Sequence, residues 1–251
     1  MNQEMQGNCC LEFECCAEAA VVLRLETFSA ACQLVAELYR NKCDADVAAR
    51  LLGIETDFPD DDLVLSNDDC LQGMRAMQSC CAAAFGNERS GDLSKELSND
   101  YHDLFVGPHN LLAVPWSSVY LDKGKTLFGP TAMRVRNIFA QEGFVIPEDG
   151  HEPSDHVAYE WQFVADLEKR AAALFREGSP SEARAANAEA SRFFEEFLKP
   201  WMPDFCERVS KGAKTDFYRG LAQFTSGFAL LATEFFAQIE SSFDNEEERR
   251  R

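Results

Sequence analysis

Near the C-terminus, Phe217, Leu221, Phe224, Phe228, Leu231 and Phe235 follow one another at intervals of four, three, four, three and four. That spacing puts six large apolar side chains on one stripe of an α-helix, and it is incompatible with the period of two that a strand requires. A second stripe with the same spacing runs through Val21, Leu25, Phe28, Cys32, Val35 and Tyr39. Two helices this apolar on one face must bury it against other helices. No stretch shows strict alternation with β-branched enrichment. The fold class expected is therefore all-α, a single-domain bundle of roughly nine or ten helices.

Stops and caps divide the chain. Asp46 to Leu52 reads as a short helix ended by Gly53. Glu55 to Asp69 is an acidic, proline-containing loop, without the ligand spacing or turn glycine of a calcium loop. Asn67 or Asp68 can cap a helix reaching Phe85, and another spans Asp92 to Val106, stopped by Gly107-Pro108. Trp116 to Leu121 is a turn or short helix, and Gly129-Pro130 opens a helix that runs to Gly143. An irregular stretch near 144–155 leads to Asp155, the expected N-cap of a helix reaching Glu177, with His156 as its first residue. Helices over Ser181–Leu198, Phe205–Val209 and from Thr215 onward complete the bundle. Residues 1–16 read as a flexible tail, 17–243 as the helical domain, and 244–251 as a charged tail that frays.

Composition narrows the function. Hydrophobic residues make up 46% of the chain, with 20 phenylalanines, enough to form a core without a metal or disulfides. The formal net charge is −19 and the isoelectric point about 4.6. An acidic surface argues against nucleic acid and anionic membranes as partners and favours a basic peptide. No secretory pattern opens the sequence, and no uninterrupted run of about eighteen apolar residues suggests stable membrane insertion. These features read as cytoplasmic. Nine of the ten cysteines precede residue 82, among them the doublets Cys9-Cys10 and Cys15-Cys16. No C-x-x-C spacing accompanies them, so reduced thiols and no cofactor are expected.

Three short motifs remain. Tyr101-His102-Asp103-Leu104-Phe105-Val106-Gly107-Pro108 gives Y-x-x-L-F-x-G-P; Pro115-Trp116-Ser117-Ser118-Val119-Tyr120 gives P-W-x-S-x-Y; Glu152-Pro153-Ser154-Asp155-His156 gives E-P-x-D-H. Aromatic faces and fixed carboxylates are what a groove for an arginine-bearing peptide needs. An Asp155–His156 pair could also orient a general base, which defines an enzyme alternative, and an apolar groove alone would define a generic helix-binding adaptor. The three motifs, in this order, resemble the TorD/DmsD/NarJ family of redox-enzyme maturation chaperones. The resemblance implies a TorD-like helical bundle without enzymatic activity. It implies, as partner, a molybdoenzyme catalytic subunit or its twin-arginine leader peptide, held until cofactor insertion is complete. The matching positions Tyr101, Leu104, Phe105, Pro115, Trp116, Ser118, Tyr120, Glu152, Pro153, Asp155 and His156 are the expected peptide-binding residues. A monomer, or a dimer swapped through the loop between two helical halves, is compatible with it.

Overall fold

The protein is described here from a computed structural model covering residues 4–40, 42, 45–53, 66–84, 89–107, 111–125, 127–146 and 152–249. Described side chains of the first helix begin at Glu18 and those of the last end at Asp244. Among the described residues there are ten α-helices and no strand: α1 (Glu4–Arg40), α2 (Ala45–Leu51), α3 (Asp68–Ala82), α4 (Ser90–Tyr101), α5 (Ser117–Leu121), α6 (Pro130–Glu142), α7 (Val157–Arg176), α8 (Pro180–Phe193), α9 (Met202–Gly212) and α10 (Asp216–Arg249). The all-α expectation holds. Most of the acidic loop 55–69 lies outside the described residues, as do Pro147 to His151 of the central loop.

The two stripes read from the sequence are the core. Leu25, Phe28, Cys32 and Val35 of α1 are fully buried, as are Phe217, Leu221, Phe224 and Phe228 of α10. They meet directly: the ring of Phe28 stacks on that of Phe235, centroids 3.9 Å apart. Trp161 of α7 packs against Phe228 and Phe194, with centroids at 5.3 and 5.9 Å. The most extensive pairings are α1 with α7 and α3 with α10. Glu18–Arg40 is long and apolar enough to cross a membrane by length and composition alone. In the fold its apolar stripe is covered by other helices of the bundle.

Several boundaries differ from those expected. Helix α1 starts at Glu4, where a tail over 1–16 was expected, and α10 continues to Arg249 through the charged tail of 244–251. Neither segment contains proline, and straight-chain helix formers stand in both, Glu4, Met5, Gln6, Leu11, Glu12 and Glu14 in the first and Glu246, Glu247, Glu248 and Arg249 in the second, so the adjoining helix propagates into them. The helix ending before Gly107 finishes in a π-helical turn, His102–Val106, and α8 runs into a second, Phe194–Leu198. Each widened turn ends two residues before a proline, Pro108 and Pro200. Such turns are rare and periodicity does not reveal them.

The α3–α10 contact depends on glycines that the apolar pattern passes over. A Cβ on Gly73 would lie 2.4 Å from the backbone nitrogen of Phe224 and 2.5 Å from the carbonyl oxygen of Gly220. A Cβ on Gly220 would lie 2.8 Å from the carbonyl oxygen of Gly73. The two helices therefore touch backbone to backbone at this crossing. Asp100, at the end of α4, fixes the start of α10: its buried carboxylate accepts from the amides of Lys214 and Thr215 and from the Thr215 hydroxyl at 2.7–3.1 Å.

Candidate functional site

The second and third motifs come together across the fold. Trp116 and His156 form an isolated antiparallel bridge. The amide of Ser117 donates to the carbonyl of Asp155 at 3.0 Å, and that of Val157 to the carbonyl of Pro115 at 2.8 Å. Pro153 shapes the approach, its carbonyl accepting from the His156 amide at 3.1 Å. The bridge joins the start of α5 to the start of α7, about forty residues apart in sequence.

Asp155 does not cap α7. His156 is the N-cap, its Nδ1 accepting from the Ala158 amide at 3.2 Å. Asp155 instead accepts the Ser118 amide on Oδ2 at 2.8 Å, satisfying a free donor in the first turn of α5. Its Oδ1 has no hydrogen-bond partner, so the carboxylate and the imidazole are not joined as a general-base pair. Both residues are buried, Asp155 completely. Burial and the nearby charge of Arg40 hold the His156 imidazole down to about 3, leaving it neutral.

Beneath the bridge lies a group that motif reading missed. The hydroxyl of Ser117 donates to Oε1 of Glu160 at 2.6 Å. Glu160 is fully buried, and burial pushes its carboxyl well above the ordinary range; Asp155 adds in the same direction, and the Ser117 hydroxyl works against both. Its position gave a signal: Glu160 lies three residues after Val157 and four before Val164, beside the apolar stripe of α7.

The first motif has a different role. The Tyr101 hydroxyl donates to the carbonyl of Arg40 at 3.2 Å, one of the unpaired carbonyls ending α1. Its ring joins Phe105 at 5.2 Å, and Phe105 meets Tyr39 and Tyr218 at 5.8 and 5.9 Å. Leu104 is fully buried. Tyr101 was expected on a groove wall; its ring is core because the hydroxyl finds its partner inside the fold. Asp103 pairs with Lys214 at 2.6 Å.

What remains at the surface is one edge. Trp116 is half-buried and donates from Nε1 to Oε2 of exposed Glu152 at 3.1 Å. Tyr120 is half-buried between Trp201, at 5.0 Å, and the Arg208 guanidinium, at 5.5 Å from its centroid, and its hydroxyl donates to the carbonyl of Val114. Of the expected contact residues, Trp116, Tyr120 and Glu152 are accessible in part, whereas Ser118, Pro115, Pro153, Asp155 and His156 are buried behind them. The thiols of Cys32, Cys70, Cys81 and Cys206 are buried and that of Cys80 is half-buried; the side chains of Cys9, Cys10, Cys15, Cys16 and Cys43 lie outside the described residues.

An all-helical fold with its three motifs so arranged invites comparison with known proteins. The family model of the nitrate reductase delta subunit matches residues 67–207, more than half of the chain, and takes in all three motifs. The chain belongs to that family, and the TorD/DmsD/NarJ resemblance is confirmed. The chaperone protein TorD of Vibrio cholerae is 31% identical over 153 residues, 61% of this chain and 64% of the relative. The probable Tat proofreading chaperone DmsD of Haemophilus influenzae is 29% identical over 133 residues, 53% of this chain and 58% of the relative. TorD of Vibrio vulnificus is 28% identical over 144 residues, 57% and 66%. The matches thus span less than two thirds of these relatives' own length.

Proposed function

We propose that the protein is a non-enzymatic, cytoplasmic maturation chaperone for a molybdenum-cofactor oxidoreductase subunit, and that it binds that subunit's twin-arginine leader or N-terminal region. Membership of the family carries this reading, supported by relatives whose names are those of chaperones. The separation of Asp155 from the imidazole of His156 favours binding over catalysis. In this reading the buried members of the motifs brace the fold, and the Trp116–Glu152 edge with Tyr120 is the accessible part of the loop site.

The test is co-expression with the molybdopterin oxidoreductase subunit encoded nearest to this gene, intact and without its leader. Capture of the intact subunit, weakened by leader removal, is the expected result. Equal capture of both forms would place recognition on the subunit core, and capture of neither would overturn the reading.

A further inference from the structure

The chain carries a net charge of −19, yet the stretch 123–141 contains no aspartate or glutamate, and its charged residues are Lys123, Lys125, Arg134 and Arg136 alone. It comprises most of loop 122–129 and most of α6. The loop is closed at its base. Asp122 accepts from the Thr131 amide at 3.2 and 3.3 Å and from the Thr131 hydroxyl at 2.7 Å, so the first turn of α6 already has its anion. Beyond that base the chain passes through left-handed backbone at two residues, Lys125 at φ 47° and Phe128 at φ 58°. A bulky phenylalanine is an uncommon occupant of that region.

The tip of the loop is apolar. Phe128 is 70% exposed, Leu127 45%, and Met133, in the first turn of α6, 52%. Every other phenylalanine whose side chain is described is buried or half-buried. Left-handed backbone at Phe128 costs stability, and a ring turned outward recovers none of it by burial. Folding alone therefore does not account for this arrangement, and an exposed apolar patch marks an interaction surface. Cations flank it. Arg134 pairs with Glu196 and lies over the Phe197 ring at 4.9 Å, whereas Lys123, Lys125 and Arg136 are exposed and make no ion pair among the described residues.

We infer that this patch docks the protein reversibly on an anionic phospholipid surface. Side chains that stand proud of the fold suit a fluid interface: the apolar ones enter it, and the long amine stems reach back to the headgroups. The uncompensated cations select an anionic surface. The net charge argues against such a partner for the chain as a whole, and the patch is the local exception. At physiological ionic strength, charges more than about 8 Å away are largely screened. Two adjoining carboxylates, Asp122 and Glu196, are already taken by Thr131 and Arg134. A few cations and apolar side chains fall short of stable anchoring, so the docking is weak. It goes beyond the chaperone reading and does not depend on it.

The probes are large unilamellar vesicles, of phosphatidylcholine alone or of equal parts phosphatidylcholine and phosphatidylglycerol, cosedimented with the full chain at low and at physiological salt. The protein should bind the anionic vesicles, less as salt rises, and leave the neutral ones. Each cation at an anionic surface multiplies affinity by about fivefold, so Lys123→Gln with Lys125→Gln should weaken binding by about tenfold or more. Leu127→Ser with Phe128→Asn should weaken it by about tenfold as well. Asparagine accepts left-handed backbone, so the loop is retained; melting temperatures verify folding, and Phe128→Gly alone serves if the double variant unfolds. Lys42→Gln with Lys95→Gln makes the same change of net charge outside the loop and α6 and should bind like wild type. No binding of wild type to anionic vesicles overturns the inference, as does equal loss in the Lys42 and Lys95 variant. Loss without the lysines but none without Leu127 and Phe128 also overturns it, because diffuse attraction needs no docked tip. If wild type ignores vesicles and the Leu127 and Phe128 variant captures less of the oxidoreductase subunit, the patch meets a protein, and lipid docking is overturned. Capture of that subunit by wild type tests the chaperone reading separately.

Discussion

The Trp116–His156 bridge and the groove lined by α3, α4, α9 and α10, with Asp69, Asp92, Glu96, Glu207 and Asp216 in its wall, are both rich in polar side chains, and they use them in opposite senses. At the bridge the polar groups turn inward: Ser117, Ser118, Asp155 and Glu160 are fully buried. At the groove the carboxylates turn outward to solvent. A buried acceptor has few substitutes, because its replacement leaves a donor stranded. An exposed carboxylate on a helix can be exchanged for another a turn away with little change in the field. Hence the bridge forms a readable motif and the groove does not, whichever of them touches a partner.

The largest expected effect tests whether the groove needs its crossing. Gly73→Ala places a methyl against the backbone of α10, and no side-chain rotation can relieve that contact. Such overpacking costs about 1–3 kcal/mol or more, and backbone against backbone belongs at the upper end. Gly91→Ala, on α4, meets nothing within 4 Å and should be neutral or stabilising by about 0.5–1 kcal/mol. Urea midpoints of the two variants measure the difference. Equal midpoints would show that α3 and α10 can part freely, leaving the groove without a fixed shape.

At the bridge, Asp155→Ala removes the acceptor of the Ser118 amide and strands that donor. A charge-assisted bond contributes about 1.5–3 kcal/mol, and that is the expected loss. Asp155→Asn keeps an acceptor and withdraws the negative charge that raises Glu160, so it should be clearly milder. Because His156 and not Asp155 caps α7, neither change removes the cap. Equal destabilisation by Ala and Asn would mean that the charge, and not the acceptor, holds α5 to α7.

How much of this was legible follows from what each residue does. The stripes of α1 and α10 give away fold and core, because burial of an apolar face imposes its period on the sequence. The motifs bring Trp116 near His156, yet their spacing cannot say which side chains turn inward. Asp155 looks like a cap because aspartate is a good one; here the imidazole of His156 serves, and the carboxylate reaches a residue distant in sequence. Tyr101 carries a hydroxyl that suits a surface, and its inside partner, a carbonyl ending α1, becomes visible only when α1 and α4 are packed together. Gly73 and Gly220 have no period at all. The groove joins four helices, and no local pattern could announce it.

A smaller effect separates the two buried carboxylates of α7. Glu160 has the Ser117 hydroxyl; both oxygens of Glu168 are buried without a partner, and burial raises its carboxyl well above the ordinary range. The folded state therefore holds that proton more tightly than the unfolded chain. Its contribution to stability is present below the ordinary value of 4.5 and is lost as pH rises above it. His156 acts oppositely: with its folded value lowered to about 3, its contribution is present above 6.5 and lost as pH falls toward 3. Glu168→Met, similar in volume, should raise stability at neutral pH by about 1–2 kcal/mol and flatten the decline with rising pH. Thermal melts across the pH range check both. A destabilised Met variant would imply that Glu168 has a polar partner, such as a buried water.

The smallest expected effect on stability falls on the edge where bridge and surface meet. Glu152 is exposed, and its bond to the Trp116 indole joins two side chains that solvent can also satisfy. Substitutions of that kind change stability by about 0.5 kcal/mol or less. Glu152→Gln retains an acceptor for the indole and removes only charge, so its melting temperature should match wild type. If the edge contributes to client binding through that charge, capture of the oxidoreductase subunit should fall and the loss should shrink at high salt, where an exposed charge is screened. Trp116→Phe keeps the aromatic face and deletes the N–H, which separates stacking from hydrogen bonding. Full capture by both variants would leave the loop a brace alone, its motif explained by Asp155, Ser118 and Glu160, and would place recognition elsewhere on the molecule. A drop in stability well beyond that expected of a surface site would place even Trp116 and Glu152 among the bracing residues.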